Sequence, residues 1–203
     1  VGLLALMAQS GLPIPAEEKS EVPCFTGVFA DIGDAQSIEN DLSTFSSHMT
    51  NLVDICHQAD SGSLVLLDEI GASTDPDEGS ALAVALLKDL TKRGCRTLAT
   101  THHGALKAVA HNSPGMSNGS MAFDAVTLTP TFKLRPQIPG SSYAFEIARR
   151  LGMPANIVDE AVHLAGDDVR HVESLIAELD AAYQNYRTES EQIAAERASI
   201  TEL

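Results

Sequence analysis

Two adjacent carboxylates follow the most apolar run of the chain. Residues 63–67 read Ser-Leu-Val-Leu-Leu, and Asp68 and Glu69 come directly after them. A continuous apolar run of this length is typical of a central parallel strand that is buried on both faces. Ligands of α/β sheets bind at the carboxyl ends of such strands, where one acid could hold a divalent metal and the other could polarise an attacking water. A strand that simply ends in solvated acids explains these two residues alone equally well.

A histidine follows the next predicted strand, which covers residues 95–101. A helix predicted over 81–92 joins the two strands, and this order predicts a crossover connection between parallel neighbours. His102 would then lie at the same sheet edge as Asp68 and Glu69, where a histidine can hydrogen-bond a phosphate oxygen. A lone histidine at a strand end is more often incidental. The acid pair and the histidine on successive strands together favour nucleotide hydrolysis.

A third candidate segment lies upstream, around Ser43 and Thr44. Apolar residues recur at helical spacing over 37–59, which predicts an amphipathic helix. Ser43 and Thr44 lie where such a helix can begin, and the backbone amides of a helix N-terminus attract phosphate. Ordinary capping by the Ser43 side chain is the simpler interpretation of this segment taken alone.

The remaining elements complete the predicted fold class. The sequence predicts helices over 1–9, 105–110, 142–151 and 154–165, a strand over 25–32, and a hairpin formed by 121–128 and 131–134. Strands and helices that alternate in this way predict an α/β protein with a parallel sheet.

Charge and composition exclude several classes of protein. The 203 residues carry a formal net charge of −15, and their hydrophobic content of 44% excludes global disorder. Between residues 1 and 87 the only Lys or Arg is Lys19, against fourteen acids, so this half is a poor surface for nucleic acid. No apolar stretch approaches the roughly 20 residues of a membrane span. The three cysteines are far apart in the sequence and favour reduced thiols over a disulfide framework.

The last segment has a different pattern. From Asp167 onward there is neither Gly nor Pro, and apolar residues repeat every seventh position at Val172, Leu179, Tyr186, Ile193 and Ile200. This repeat predicts one seam of a coiled coil. The second seam is weaker because glutamates interrupt it, so a solvated helical arm that packs on one side is an equal alternative.

These motifs, in this order, resemble the ABC-type ATPase domain of the MutS family. The matching elements are Ser-Thr-Phe at 43–45, the apolar strand with Asp-Glu, and Ala-Thr-Thr-His at 99–102. Two longer runs are similar to the second bacterial branch of that family, which lacks mismatch-recognition domains and usually ends in an Smr nuclease domain. These runs are Asp-Glu-Ile-Gly-Ala-Ser-Thr-Asp-Pro-Asp-Glu-Gly at 68–79 and Gly-Ser-Ser-Tyr-Ala-Phe-Glu-Ile-Ala-Arg-Arg-Leu-Gly at 140–152.

The resemblance covers residues 1–179 and implies an architecture. It implies a P-loop ATPase core with a three-layer, mostly parallel sheet and a C-terminal helical or coiled-coil arm. The domains expected from it are an ATPase core over 1–140, a helical C-terminal part of that domain over 141–166, and the start of the arm over 167–203.

The resemblance also implies a chemical role for residues at the sheet edge. Asp68 resembles the magnesium ligand of the family, Glu69 the catalytic base, and His102 the switch histidine. The implied cofactors are therefore ATP and Mg²⁺.

Four further residues resemble family segments that act between subunits. Ser43 and Thr44 resemble the signature that caps the γ-phosphate of the nucleotide bound by the partner subunit. Thr74 and Asp75 resemble the loop that crosses the dimer interface. The implied partner is therefore a second copy of the chain, in a homodimer with composite ATP sites.

The chain departs from the family pattern in one respect. The phosphate loop G-x-x-x-x-G-K-[ST] occurs nowhere in the sequence. In the family this loop immediately precedes the helix with which the chain begins, and Val1 opens an apolar helical run without a capping residue. Both observations predict a chain that was cut just after the loop or lacks it, and that is inactive as an ATPase when isolated.

The resemblance implies a cytoplasmic ATPase engine without a membrane segment. Its ATP state would be coupled to branched DNA, in recombination suppression, or to collided ribosomes, in ribosome rescue. Both targets, and an endonuclease activity in an Smr domain, would involve domains outside this chain. One alternative is a non-catalytic dimerisation module. Another is an ABC-type ATPase of a transporter or SMC-like family, although Leu-Ser-Thr-Phe at 42–45 replaces the transporter signature Leu-Ser-Gly-Gly-Gln.

Overall fold

The computed structural model describes residues 1–33, 44–72, 74–124, 129–138, 140, 144–165, 186 and 193. The chain divides into two compact units, Val1–Met116 and Ser117–Leu203. The elements of the first unit, in chain order, are α1 (Gly2–Gln9), β1 (Gly27–Asp31), α2 (Thr44–Gln58), β2 (Ser63–Leu67), α3 (Pro76–Arg93), β3 (Arg96–Ala99) and α4 (Gly104–Asn112). Those of the second are β4 (Gly119–Asp124), β5 (Thr129–Pro136), α5 (Ala144–Arg150) and α6 (Ala155–Leu164).

The first unit is built on a parallel sheet with the order β1-β2-β3. All five residues of β2 are buried, which explains why its sequence is a continuous apolar run. Asp31 at the end of β1 pairs with Leu67, and Leu67 pairs with Ala99 of β3. The register therefore brings the ends of all three strands to one edge. The predicted α/β class with a mostly parallel sheet is confirmed.

Helices cover both faces of this sheet, because successive side chains of β2 point in opposite directions. Val65 and Leu67 belong to the larger buried cluster, together with residues from α2, α3 and α4. Leu64 and Leu66 pack with Ala5 of α1 in a smaller cluster on the other face. The described part of the first unit is thus a three-layer structure.

Helix α3 begins five residues earlier than the apolar pattern predicts. Asp75 is its N-cap, and its carboxylate accepts hydrogen bonds from the backbone N–H groups of Asp77 and Glu78. Pro76 occupies the first turn, where its missing N–H costs nothing. Gly94, with φ +80°, ends the helix in the left-handed conformation that glycine adopts readily.

The second unit contains the predicted hairpin and the two predicted short helices. Strands β4 and β5 are antiparallel, with an irregularity between Met121 and Phe123. The Arg149 guanidinium of α5 donates to the Asp159 carboxylate of α6 at 2.8 Å. Both side chains are exposed, so this ion pair contributes little to stability. Val158 of α6 is buried.

The predicted arm lies mostly outside the described residues. Of its seven-residue repeat, Tyr186 and Ile193 are described; both are helical and exposed. The pairing of the arm therefore stays a prediction. Within the described ranges, no helix combines the length and the apolar character needed to cross a bilayer.

Candidate functional site

The edge at which the three strands end brings together most of the predicted site residues. The backbone N–H of Asp68 donates to the Asp31 carbonyl at 2.8 Å, which extends the β1–β2 pairing by one residue. Asp68 is half-buried and Glu69 is exposed. Glu69 has φ +49°, a left-handed backbone conformation that is rare for residues with a Cβ atom.

Thr100, which directly follows β3, links these two acids. Its hydroxyl donates to Oδ1 of Asp68 and accepts a hydrogen bond from the backbone N–H of Glu69 at 2.9 Å. Within the described part of the chain, no hydrogen bond reaches Oδ2 of Asp68 or the carboxylate of Glu69. Those oxygens are therefore available to a ligand.

Two histidines follow Thr101 at the same edge. His102, the predicted switch residue, is exposed, and its ring centroid lies 4.5 Å from that of His103. Nε2 of His103 lies 3.2 Å from the Gly71 carbonyl. A carbonyl only accepts, so His103 carries its proton on Nε2. His103 thus ties the segment after β3 to the loop after β2.

That loop is packed closely against the start of α3. A Cβ atom on Gly71 would lie 3.0 Å from the Gly79 carbonyl oxygen, and Gly71 itself has φ +87°. A Cβ atom on Gly79 would contact the Thr74 methyl group at 3.0 Å. Thr74 therefore packs on the first turn of α3, next to the capping residue Asp75. The crossing of a dimer interface by these two residues stays a prediction.

The signature residues are only partly described. Thr44 is the first described residue of α2, and whether the helix begins there stays a prediction. Ser43 lies outside the described residues, and its role stays a prediction.

A buried acid at the end of β1 was missed by the sequence reasoning. Asp31 is 6% exposed, and its Oδ2 lies 2.8 Å from Nδ1 of His48 while its Oδ1 accepts from Nδ2 of Asn51 at 3.1 Å. An ionised carboxylate only accepts, so His48 donates. His48 and Asn51 lie three residues apart on one face of α2. Polar residues at helical spacing downstream of a strand-ending acid were the available signal.

A cavity of about 570 Å³ adjoins both acids. Apolar side chains of α2 and α3 form much of its lining, and Asp31, His48, Asp68 and Glu69 also line it. No Lys or Arg is among the described lining residues. A phosphate group near this edge would therefore need a cation beside Asp68 and Glu69.

The donor set suits magnesium bound together with a phosphorylated ligand. Among the described residues, no group of three or more His, Cys, Asp or Glu could hold a metal ion. Mg²⁺ is usually bound by one or two carboxylates plus substrate phosphates and water, not by an all-protein cage. The open Oδ2 of Asp68 matches that mode of binding.

Two groups elsewhere in the first unit have shifted pKa values. Burial raises the pKa of the Cys95 thiol above its ordinary value. The Ser63 hydroxyl and the Gly62 N–H, both bonded to the Asp60 carboxylate, lower the pKa of that acid. Asp60 precedes β2, at the opposite edge of the sheet from Asp68.

Comparison with known proteins identifies the family. The family model described as MutS domain V matches residues 1–167. This chain belongs to the MutS domain V family. The resemblance to the second bacterial MutS branch is confirmed, because relatives named Endonuclease MutS2 match most of the chain.

Three MutS2 relatives illustrate the match. The protein of Halalkalibacterium halodurans is 56% identical over 180 residues, which cover 89% of this chain and 23% of the relative. That of Geobacillus kaustophilus is 52% identical over 202 residues, covering 100% of this chain and 25% of the relative. That of Bacillus thuringiensis is 51% identical over 185 residues, which cover 91% of this chain and 24% of the relative. The chain thus spans about a quarter of the length of these relatives.

Proposed function

We propose that this chain supplies the hydrolytic part of an ATPase site in a MutS-family protein, at the edge formed by Asp68, Glu69 and His102. The observation that carries the proposal is the geometry around Asp68 and Glu69. Two adjacent carboxylates end a fully buried strand, and each keeps an oxygen without a hydrogen bond from the described residues. Membership of the MutS domain V family supports ATP as the nucleotide.

Each residue has a distinct task in this proposal. Asp68 holds Mg²⁺ through its open oxygen, and the ion when bound neutralises charge on the phosphates. Glu69 accepts the proton of the attacking water, for which its exposed carboxylate is suitably placed. His102 donates a hydrogen bond to the γ-phosphate. The phosphate loop is not among these 203 residues, so the proposal concerns the whole protein that carries this chain.

The experiment that tests this proposal uses the whole protein with Glu69→Gln. We expect it to bind ATP and retain it, with turnover reduced by about 10²–10³-fold or more, because the proton acceptor is lost. Glu18→Gln is the matched control, since Glu18 is exposed in the segment between α1 and β1. Turnover close to wild type in Glu69→Gln would refute the assignment of Glu69.

We propose further that the site is completed by a second copy of the chain. Ser43 and Thr44 would cap the γ-phosphate bound to the partner, and Thr74 and Asp75 would lie at the interface. The similarity of Ser-Thr-Phe at 43–45 to the family signature supports this role, and Thr44 is the first described residue of α2.

Subunit mixing tests this composite site. Ser43→Arg should abolish hydrolysis while nucleotide binding to the same subunit persists. In a mixed dimer with Glu69→Gln, one site receives both lesions and the other neither, so about half of the wild-type turnover should return if the sites act independently. Lack of recovery, with mixed dimers shown to form, would refute the composite site.

The target of the ATPase belongs to parts of the protein outside this chain. The printed name of the relatives, Endonuclease MutS2, supports a nuclease activity in the whole protein, and we propose an Smr domain as its location. Branched DNA and collided ribosomes are both proposed targets. The acidic first half of the chain supports contacts with nucleic acid through other domains.

A further inference from the structure

We propose that Thr100 is a positioning residue that leaves one oxygen of Asp68 free for the metal and fixes the backbone from which Glu69 acts. This inference rests on the proposed function, because it concerns the same two acids. It adds a residue to which neither the sequence motifs nor the family match assigns a role.

Backbone hydrogen bonds join Thr100 to the residues that flank the acid pair on either side. Its N–H donates to the Leu67 carbonyl at 2.9 Å, and its carbonyl accepts from the Ile70 N–H at 3.0 Å. Leu67 directly precedes Asp68, and Ile70 directly follows Glu69. Thr100 therefore has a fixed position relative to both acids. Its branched Cβ also restricts the rotation of the hydroxyl.

The direction of the two hydroxyl hydrogen bonds follows from the partners. The Asp68 carboxylate only accepts and the Glu69 N–H only donates, so the single hydroxyl proton points to Oδ1 of Asp68. Oδ1 then carries this hydrogen bond, and Oδ2, which carries none from the described residues, is the oxygen more open to a metal. Thr100 thus selects the ligating oxygen and orients the carboxylate, as residues behind metal ligands commonly do.

The second hydrogen bond acts on an unfavourable backbone conformation. Glu69 has φ +49°, where a residue with a Cβ atom is sterically disfavoured. Such conformations persist only where the surroundings fix them. The bond from the Glu69 N–H to the Thr100 hydroxyl, at 2.9 Å, provides part of that restraint. Without the hydroxyl, the backbone of Glu69 can relax, and the position of its carboxylate is no longer fixed.

The substitution that tests this is Thr100→Val, which keeps the branched shape and removes the hydroxyl. Thr100→Ser keeps the hydroxyl. Thr100→Ala also removes the hydroxyl and adds no atoms that could crowd the site. Thr97→Val, on the strand that precedes Thr100, is the matched control, because the Thr97 hydroxyl is buried and has no hydrogen-bond partner among the described residues.

The readouts are kcat, KM for ATP, and Mn²⁺ affinity measured by electron paramagnetic resonance on the ATP-bound whole protein. We expect Thr100→Val and Thr100→Ala to lower kcat and Mn²⁺ affinity by about 10–100-fold each, the usual effect of losing a partner of a metal ligand. KM for ATP should change less than kcat, because Thr100 is proposed to contact the two acids and not the nucleotide itself. Thr100→Ser should recover most of both losses, and Thr97→Val should match wild type.

The outcomes separate this inference from the proposed function. If Glu69→Gln abolishes turnover while both Thr100→Val and Thr100→Ala keep wild-type kcat and Mn²⁺ affinity, the positioning role is wrong and the proposed function stands. The same holds if Thr100→Ser is as impaired as Thr100→Val, because the effect would then not come from the hydroxyl. If Glu69→Gln is as active as wild type, the proposed function fails and this inference fails with it.

Discussion

Asp31 and Asp68 end neighbouring parallel strands, yet their surroundings differ. Asp31 is 6% exposed, and both of its oxygens are bonded to α2, one to His48 and one to Asn51. Asp68 is half-buried and, within the described residues, bonded only through Oδ1, to Thr100. Their backbones are joined by the hydrogen bond from the Asp68 N–H to the Asp31 carbonyl.

The difference separates a carboxylate that stabilises the fold from one that can bind a ligand. A buried acid with a protein donor on each oxygen is expensive to disturb, and both of its oxygens already face protein groups. An acid with one oxygen held and one open is oriented and still able to ligate. Asp31 therefore anchors α2, the helix that contains Thr44, to the edge that carries Asp68.

The largest expected effect on stability comes from replacing Asp31 by alanine, and Asp68→Ala is its matched comparison. Asp31→Ala removes a buried carboxylate that accepts from the half-buried His48 and the exposed Asn51, so two hydrogen bonds are lost and the free energy of unfolding should fall by about 1–3 kcal/mol. Asp68→Ala should cost less than about 1 kcal/mol, since Asp68 is half-buried and loses one bond. Urea unfolding followed by circular dichroism measures both.

The comparison of Asp31→Ala with Asp68→Ala also controls for the change in net charge. Both substitutions remove one negative charge from a chain with a formal net charge of −15, so any relief of general repulsion is similar in the two. Equal loss of stability in the two variants would contradict the distinction between the acids.

A smaller effect is expected from Asn51→Ala, which removes one of the two partners of Asp31. The substitution should lower the free energy of unfolding by about 0.5–1.5 kcal/mol, the usual net value of one hydrogen bond. Asp54→Ala is the matched control, because Asp54 is exposed on the same helix and alanine raises helix propensity at both positions. Asp54→Ala should leave stability unchanged or slightly raised. An Asn51→Ala variant as stable as Asp54→Ala would show that the anchor is not formed.

The smallest effect concerns Asp60, an exposed carboxylate just before β2. The Ser63 hydroxyl donates to Asp60 Oδ1 at 2.9 Å and, as the largest cause, lowers the pKa of Asp60. A lowered pKa stabilises the fold above the pKa of the unfolded chain, and this contribution disappears as the pH falls through the folded value. Ser63→Ala should therefore raise the Asp60 pKa towards its ordinary value and weaken this contribution. NMR titration of the Asp60 carboxyl resonance measures its pKa in the wild type and in Ser63→Ala. Equal pKa values in the two proteins would contradict the account.

The sequence predicted the elements well wherever local pattern decides them. Strand β2 spans Ser63–Leu67 as predicted, because burial on both faces leaves a continuous apolar run. Apolar spacing predicts that helix α3 begins at Ala81, whereas the Asp75 cap and Pro76 start it five residues earlier. Strand β3 is predicted to reach Thr101 but ends at Ala99. Beside this end, the segment that follows β2 leaves the extended conformation at Glu69, where φ is +49°.

The site was predictable only in part, for a physical reason. Asp68, Glu69 and His102 stand out because each follows a strand pattern. Thr100 and His103 act through contacts with residues 32 positions away, and Asp31 through a contact 17 positions away. Such contacts exist only after the sheet register is set, so spacing along the sequence cannot reveal them.

The most direct test compares Asp68→Asn with Asp31→Asn in the whole protein, by Mg²⁺-dependent ATP hydrolysis per folded molecule. Asp68→Asn should lose about 10²-fold or more in turnover if Asp68 holds magnesium as proposed, because an amide is a poor replacement for a charged ligand. Asp31→Asn should remain within a few-fold of wild type: a neutral His48 can move its proton to Nε2 and accept from the new amide, while Asn51 still donates to its oxygen. The account predicts an inactive Asp68→Asn beside an active Asp31→Asn. Full activity in Asp68→Asn, or equal loss in both variants, would contradict it.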